Sequence, residues 1–254
     1  MSKTPIIYTN EQFEQLEDFV EQNFGSHYDY LVHEIKSDYV HTDVFVVKEK
    51  SGSKFYITCG MGAREMESPN NFTRSEVTLG ASKNFVITSN KGCVLANELI
   101  RTSKFPFRNN TWLGNGHTLD ASDEFKKAFG YDYFAFLKLP MSVNISDIDE
   151  PINFLTLVPI YESEREWCVN NHTIAFLEQL HGKYGNKIFE ADFKRPELVP
   201  CDLGDEEKDE YNIMTALNIN KETLQKLFDY MKTEEEKGNE LSFDMIIEWV
   251  EKNK

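Results

Sequence analysis

The chain is poor in the features that announce chemistry. Its 254 residues include four cysteines, Cys59, Cys93, Cys168 and Cys201. No two of them form a Cys-x-x-Cys pair, so a zinc knuckle is not expected. No Gly-x-Ser-x-Gly elbow, Walker loop or Gly-x-Gly-x-x-Gly turn occurs, so no nucleophile or nucleotide motif is in evidence. No apolar run approaches the ~18 residues that cross a bilayer. Met1 to Tyr8 lacks the apolar stretch of a secretory leader, and a cytoplasmic protein with free thiols is expected. Positive charge is also scarce: 27 Lys and Arg face 43 Asp and Glu, a formal net charge of −16. Nucleic-acid binders need cationic surface to displace counterions from phosphates. This field repels DNA, RNA and anionic lipid and speeds the approach of a cationic protein. The same acidity also serves simple solubility.

The chain does have the composition of a folded protein. Apolar residues make up 40% and aromatics 13%, and this length suffices for a core without staples. One domain with an extension, or two small domains, fits. Thr9 to Gln12 reads as a capping box opening a helix in which Phe13, Leu16, Phe19, Val20 and Phe24 share a face, with Gly25 as its stop. Tyr39–Val47 and Lys54–Cys59 are β-rich runs separated by a Gly/Ser loop, a hairpin pattern. Gly60 and Gly62 around Met61 suggest a tight turn. Ser68–Asn71 reads as a loop, Arg74–Leu79 and Asn84–Thr88 as short strands, and Ser89–Gly92 as a turn. A helix over Val94–Ile100 is expected to end at Phe105–Asn110.

Tyr131–Leu139 and Ile152–Tyr161 have strand length. The second is nearly continuous apolar, as for a strand covered on both faces. Helical character begins at Glu162 and strengthens over His172–Leu180, with Gly182 or Gly185 to stop it. After Gly185 the texture changes. Phe193–Gly204 is proline-bearing and aperiodic, Asp205–Glu210 is a charge run, and two helices are expected over Lys221–Lys237, stopped by Gly238, and Phe243–Lys252, capped by Asn220 and Ser242. From Glu197 onward, 16 acidic residues face 7 basic ones. The expected organisation is a domain over residues 1–185 and a connector with an acidic helical extension over 186–254.

Four segments, taken in order, resemble the Suppressor of fused domain family: His41-Thr-Asp-Val, Ile57-Thr-Cys-Gly-Met, Gly116-His-Thr118, and Ile152-Asn-Phe continuing to Pro159-Ile-Tyr-Glu-Ser-Glu164. The resemblance covers roughly Phe13 to Tyr184. It implies an α/β (α+β) fold with a mixed central β-sheet flanked by helices, and a protein-binding role without catalysis or cofactor. In animals it implies sequestration of a transcription factor; in bacteria, an immunity protein that neutralises a toxin, often a nuclease. The compact chain fits the bacterial form.

Several residue groups remain to be weighed. His41 and Asp43, two apart, would share a strand face and with His117 would be the ligands of a metal-dependent enzyme, the alternative reading. They equally suit hydrogen bonds that fix strand register. Glu162, Glu164 and Glu166, after a buried strand, suit acid/base work or favourable charge at a helix N-terminus. Trp112 beside the glycine-flanked His117 is a candidate recognition loop or a turn packed on the core. The partner-binding set expected from sequence is Trp112, His117, Glu162, Glu164, Asp205, Glu206 and Glu207, facing a protein partner such as a basic toxin.

Overall fold

The computed structural model describes residues 4–25, 28–69, 72–217, 219–237 and 242–253. Gly238, together with Asn70 and Asn71 of the expected loop, lies outside them. The chain opens with α1 (Asn10–Phe24), where Thr9 and Gln12 exchange backbone-to-side-chain hydrogen bonds of 3.2 and 3.0 Å. There follow β1 (Tyr28–Val32), β2 (Asp43–Lys48), β3 (Lys54–Cys59), a 3-10 turn over Met61–Ala63, and β4 (Ser75–Ala81). Next come α2 (Asn90–Asn109), β5 (Thr118–Asp120), α3 (Asp123–Phe129), β6 (Tyr133–Val143) and β7 (Ile152–Ile160). The chain continues with α4 (Glu162–Asn170), α5 (Thr173–Tyr184), a 3-10 turn over Gly185–Phe189, α6 (Asp205–Leu217), α7 (Lys221–Glu236) and α8 (Phe243–Asn253).

The seven strands form one mixed sheet in the order β1-β2-β3-β4-β7-β6-β5. Only β4 and β7 run parallel, with Thr78 beside Thr156; the other described pairs are antiparallel. All nine residues of β7 are buried, because both faces of the sheet are covered. One face carries Val44, Val46, Tyr56, Val77 and Leu157 under Leu95 and Leu99 of α2 and Phe125 of α3. The other is covered in two parts. Leu16, Val20 and Phe24 of α1 pack on Phe45, Ile57 and Phe154, while Phe176, Leu177 and Leu180 of α5 pack on Ala135, Val158 and Ile160.

Several expectations are corrected. The strand expected from Tyr39 begins only at Asp43, since Tyr39 sits at φ 64° and breaks the extended run. Asn84–Thr88 is not a strand: Val86 is exposed and the segment is irregular. Ser89–Gly92 is not a separate turn but the start of α2, with Ser89 as N-cap accepting from the Gly92 N–H. Phe105–Asn110 does end the helix, though not at its proline. Pro106 lies within the helix, where it removes one donor, and Asn110 ends it at φ 53°. The charge run Asp205–Glu210 is helical, because its acids occupy the first turn of α6 and Tyr211 and Met214 then bury themselves.

The acidic extension packs on the rest of the chain. Tyr211, Met214 and Leu224 cluster with Ala175 of α5, and His172 stacks on Tyr211 at 5.2 Å between centroids.

The thiols divide into two kinds. Cys59 and Cys168 are buried, Cys93 and Cys201 exposed. Burial pushes the Cys168 thiol up to about 12 and raises Cys59 well above its ordinary range. Since the thiolate is the nucleophile, a water-soluble disulfide reagent at neutral pH should label the two exposed cysteines of the folded protein quickly. The other two should react only after denaturation. Four equal rates in the native state would contradict this packing.

Candidate functional site

His41 and Asp43 do lie together, but in a hydrogen-bond web. His41 Nε2 is 3.1 Å from Asp43 Oδ1 and its Nδ1 is 2.6 Å from the Ser37 hydroxyl. Asp43 also accepts the Glu34 N–H at 3.0 Å and faces His33 Nδ1 at 3.1 Å. The pair thus ties the link between β1 and β2. His117 instead packs on Trp112, ring centroids 4.3 Å apart. Among the described residues no cluster of three His, Cys, Asp or Glu side chains could hold a metal ion, so the three-residue metal arrangement is not formed.

The Trp112 loop is a packed turn. Gly116 N–H donates to the Phe136 carbonyl, and Phe136 N–H to the His117 carbonyl, stapling the loop to β6. Trp112 folds over Gly114, where a Cβ would meet the indole at 2.2 Å. Burial lowers the His117 pKa, opposed by a hydrogen bond to the Trp112 backbone. Both side chains remain partly exposed. Gly116 abuts Ile174 at the start of α5, the helix on which α6 also leans.

Two of the buried carboxylates, Glu164 and Glu76, organise the surrounding chain. Glu164 has no exposed surface and is held by Arg195 through both terminal guanidinium nitrogens, Nη2 at 2.7 Å. It also accepts the Tyr161 and Leu198 N–H groups at 3.0 and 2.7 Å. Arg195 lies among the rings of Tyr131, Tyr161 and Tyr184. Glu164 therefore latches the connector and does not belong to an exposed face, unlike the expectation for it. Glu76, the second residue of β4, is the other. Its Oε1 accepts from the Tyr8 hydroxyl and the Gly60 and Gly62 N–H groups at 2.9, 2.9 and 3.0 Å. Its Oε2 accepts from the Thr58 hydroxyl and, at 3.3 Å, the Met61 N–H. Burial raises its pKa, and the Thr58, Gly60, Gly62 and Tyr8 donors pull against that. The Cys59-Gly-Met-Gly turn exists to wrap this carboxylate, with Gly60 at φ 141° and no room for a Cβ against the His41 carbonyl.

The exposed acids form a track. Glu162 is exposed at the start of α4. The connector runs alongside that helix, with Ser163 donating to Glu197 at 2.6 Å and Trp167 to Asp202 at 3.2 Å. It leads into Asp205, Glu206 and Glu207, all exposed. Sequence reasoning found the two ends of this track and missed Glu197 and Asp202, which join it only through the fold.

Comparison with known proteins bears on the fold. A family model described as Suppressor of fused protein (SUFU) matches residues 38–195, more than half the chain. No curated protein matches the sequence. The Sufu–Fu complex crystal structure is similar with a TM-score of 0.53 and 12% identity, over 74% of this chain and 90% of that one. A SUFU homologue from Neisseria gonorrhoeae FA 1090 gives 0.52 and 16%, over 76% of this chain and all of that one. Drosophila Suppressor of Fused gives 0.53 and 13%, over 73% of this chain but only 51% of that one. The matched region runs past Gly185 to the residue that latches the connector, Arg195.

Proposed function

The chain belongs to the Suppressor of fused protein family, and from that premise we propose that it is a non-enzymatic protein-binding domain of the immunity type, which covers the cationic surface of a basic partner such as a toxin. The family match runs to Arg195, past the boundary expected at 185, and the residues after it supply an extension carrying much of the charge. The observation that supports this most directly is the exposed track Glu162, Glu197, Asp202, Asp205, Glu206 and Glu207. Carboxylates held in a row offer a basic groove the charge pattern of a phosphate backbone. Such a face steers association strongly at low ionic strength and is screened beyond ~10 Å at 0.1 M salt. No described helix is long and apolar enough to cross a membrane, and the protein is proposed to act in the cytoplasm. That Sufu was crystallised with Fu supports protein binding as a use of this fold.

The test is capture from a lysate of the source organism, at low and high salt, with the intact protein and with the variant Glu162→Lys/Asp205→Lys/Glu206→Lys/Glu207→Lys as baits. A basic partner held at low salt, released at high salt and bound about tenfold or more weakly by the variant is the expected result. Equal capture by both baits would remove the acidic track from the interface. Trp112→Ala belongs in the same series. Because the indole also packs on the core, its loss of binding counts only with an unchanged Tm.

A further inference from the structure

The two parts of the helical cover on one sheet face do not meet. Between α1 on one side and the 3-10 turn after α5 on the other lies an open cleft of about 360 Å³. Its floor is made of small residues at the parallel seam, Thr78 and Gly80 of β4 and Thr156 of β7. Its walls are apolar: Phe24 and Phe55 on one side, Leu139, Met141 and Phe189 on the other. Gly80 lets the backbone at Phe189 pack directly on the strand at one end of the floor, since a Cβ there would lie 2.5 Å from the Phe189 carbonyl. This volume lies near the lower limit for ligand sites and suits an inserted side chain better than a cofactor.

The mouth has a definite charge. Glu49 and Glu190 both line it. The one cation in the lining, Lys54, is turned to the carbonyls of Lys83 and Phe85. Glu190 makes no salt bridge among the described residues; partial burial and then Asp192 raise its pKa, and Lys187 pulls against them. Asp192 itself is occupied by the Ser82 N–H at 2.7 Å and the Ser82 hydroxyl. A cation placed at the mouth would meet two carboxylates, neither of them in a salt bridge among the described residues, with Lys187 as the cationic neighbour of Glu190.

We propose that this cleft is an anchor site for a protein segment that inserts one large apolar side chain between Phe55 and Met141 and sets flanking Lys or Arg residues against Glu49 and Glu190. Large apolar anchors in small desolvated pockets dominate binding energy, and the mouth carboxylates select a basic context for the anchor. That the occupant is a protein segment rests on the protein-binding reading above. The cleft and the acidic track involve different residues, so the two ideas fail separately.

The probe is acetyl-Lys-Phe-Lys-amide, titrated into the intact protein carrying 13C-methyl methionine. The Met141 signal is assigned with Met141→Leu. The expected result is a saturable shift of the Met141 methyl and little shift of the other methionines. Acetyl-Glu-Phe-Glu-amide should leave Met141 in place. Glu49→Gln/Glu190→Gln should weaken the lysine peptide about fivefold to tenfold, with the remaining methionine signals unchanged as proof of folding. Equal shifts by both peptides, undiminished affinity in the double variant, or no shift of Met141 would each overturn the proposal. So would phenethylammonium binding as tightly as the peptide, which would make the cleft a small-molecule site.

Discussion

Glu76→Ala should be among the most destabilising single substitutions in this protein, costing about 4 kcal/mol or more. The carboxylate accepts from three consecutive backbone N–H groups, Gly60, Met61 and Gly62, and from the hydroxyls of Tyr8 and Thr58. Alanine leaves these donors facing one another in a dry interior, at about 1–3 kcal/mol for each buried group left unsatisfied. Glu76→Gln separates this cause from a loss of volume. Its carbonyl can replace Oε1 and keep the Tyr8, Gly60 and Gly62 donors. Its amide then replaces Oε2, where the Thr58 hydroxyl can turn to accept but Met61 N–H cannot. The amide variant should therefore lose only about 1–2 kcal/mol. Urea unfolding midpoints of the three proteins check the order. Equal losses for Ala and Gln would mean that the negative charge, not the acceptor pattern, holds the turn.

The second large effect is expected at Arg195. Both partners of the Arg195–Glu164 pair are buried, and removing one leaves an uncompensated charge, typically costing about 3–5 kcal/mol. Arg195→Met should lose that much and free the connector, because the three tyrosine rings lose their guanidinium and the Pro159 carbonyl loses its donor. Adding Glu164→Gln should restore part of the loss. The neutral amide removes the buried charge and retains an acceptor for the Tyr161 or Leu198 N–H. Thermal unfolding gives the magnitude, and limited proteolysis near Pro196 and Val199 gives the location. A connector that stays protease-resistant in Arg195→Met would show that this pair does not latch it.

Neither the Glu76 cradle nor the Arg195–Glu164 latch was legible in the sequence, for a physical reason. Glu164 looked like an acid at a helix start, and its partner lies 31 residues away; no local pattern encodes such a meeting. Glu76 carried a faint signal, as one charge inside the strand run Ser75–Ala81, where all seven residues prove buried. Local signals were legible where the causes are local. The Thr9–Gln12 capping box, the β2–β3 hairpin and the continuously apolar β7 all stand as expected. The mixed sheet with flanking helices was readable through the family resemblance. Elements whose reason is tertiary were not. The short strands β1 and β5, and α3 with its apolar Phe125 and Phe129, carry too few residues to establish a period. Helix α6 hid behind its charges, because its burying residues, Tyr211 and Met214, come after them. Glu162 and Asp205–Glu207 were found as acids, but the track that joins them depends on how the connector lies along α4.

The parallel seam between β4 and β7 also sets a sequence of events in time. On one side of it, β1 to β4 pair with their neighbours in the chain; on the other, β5 to β7 do the same. Each half is a meander whose strands pair in chain order. The seam joins Thr78 to Thr156, and the entropy of closing so long an excursion must be met before its contacts reward it. On a ribosome the first meander therefore waits, with the inner edge of β4 uncovered, until the last strand has been made. The floor between Thr78 and Thr156 exists only after that moment, so the nascent chain has no finished cleft for a partner to enter too early.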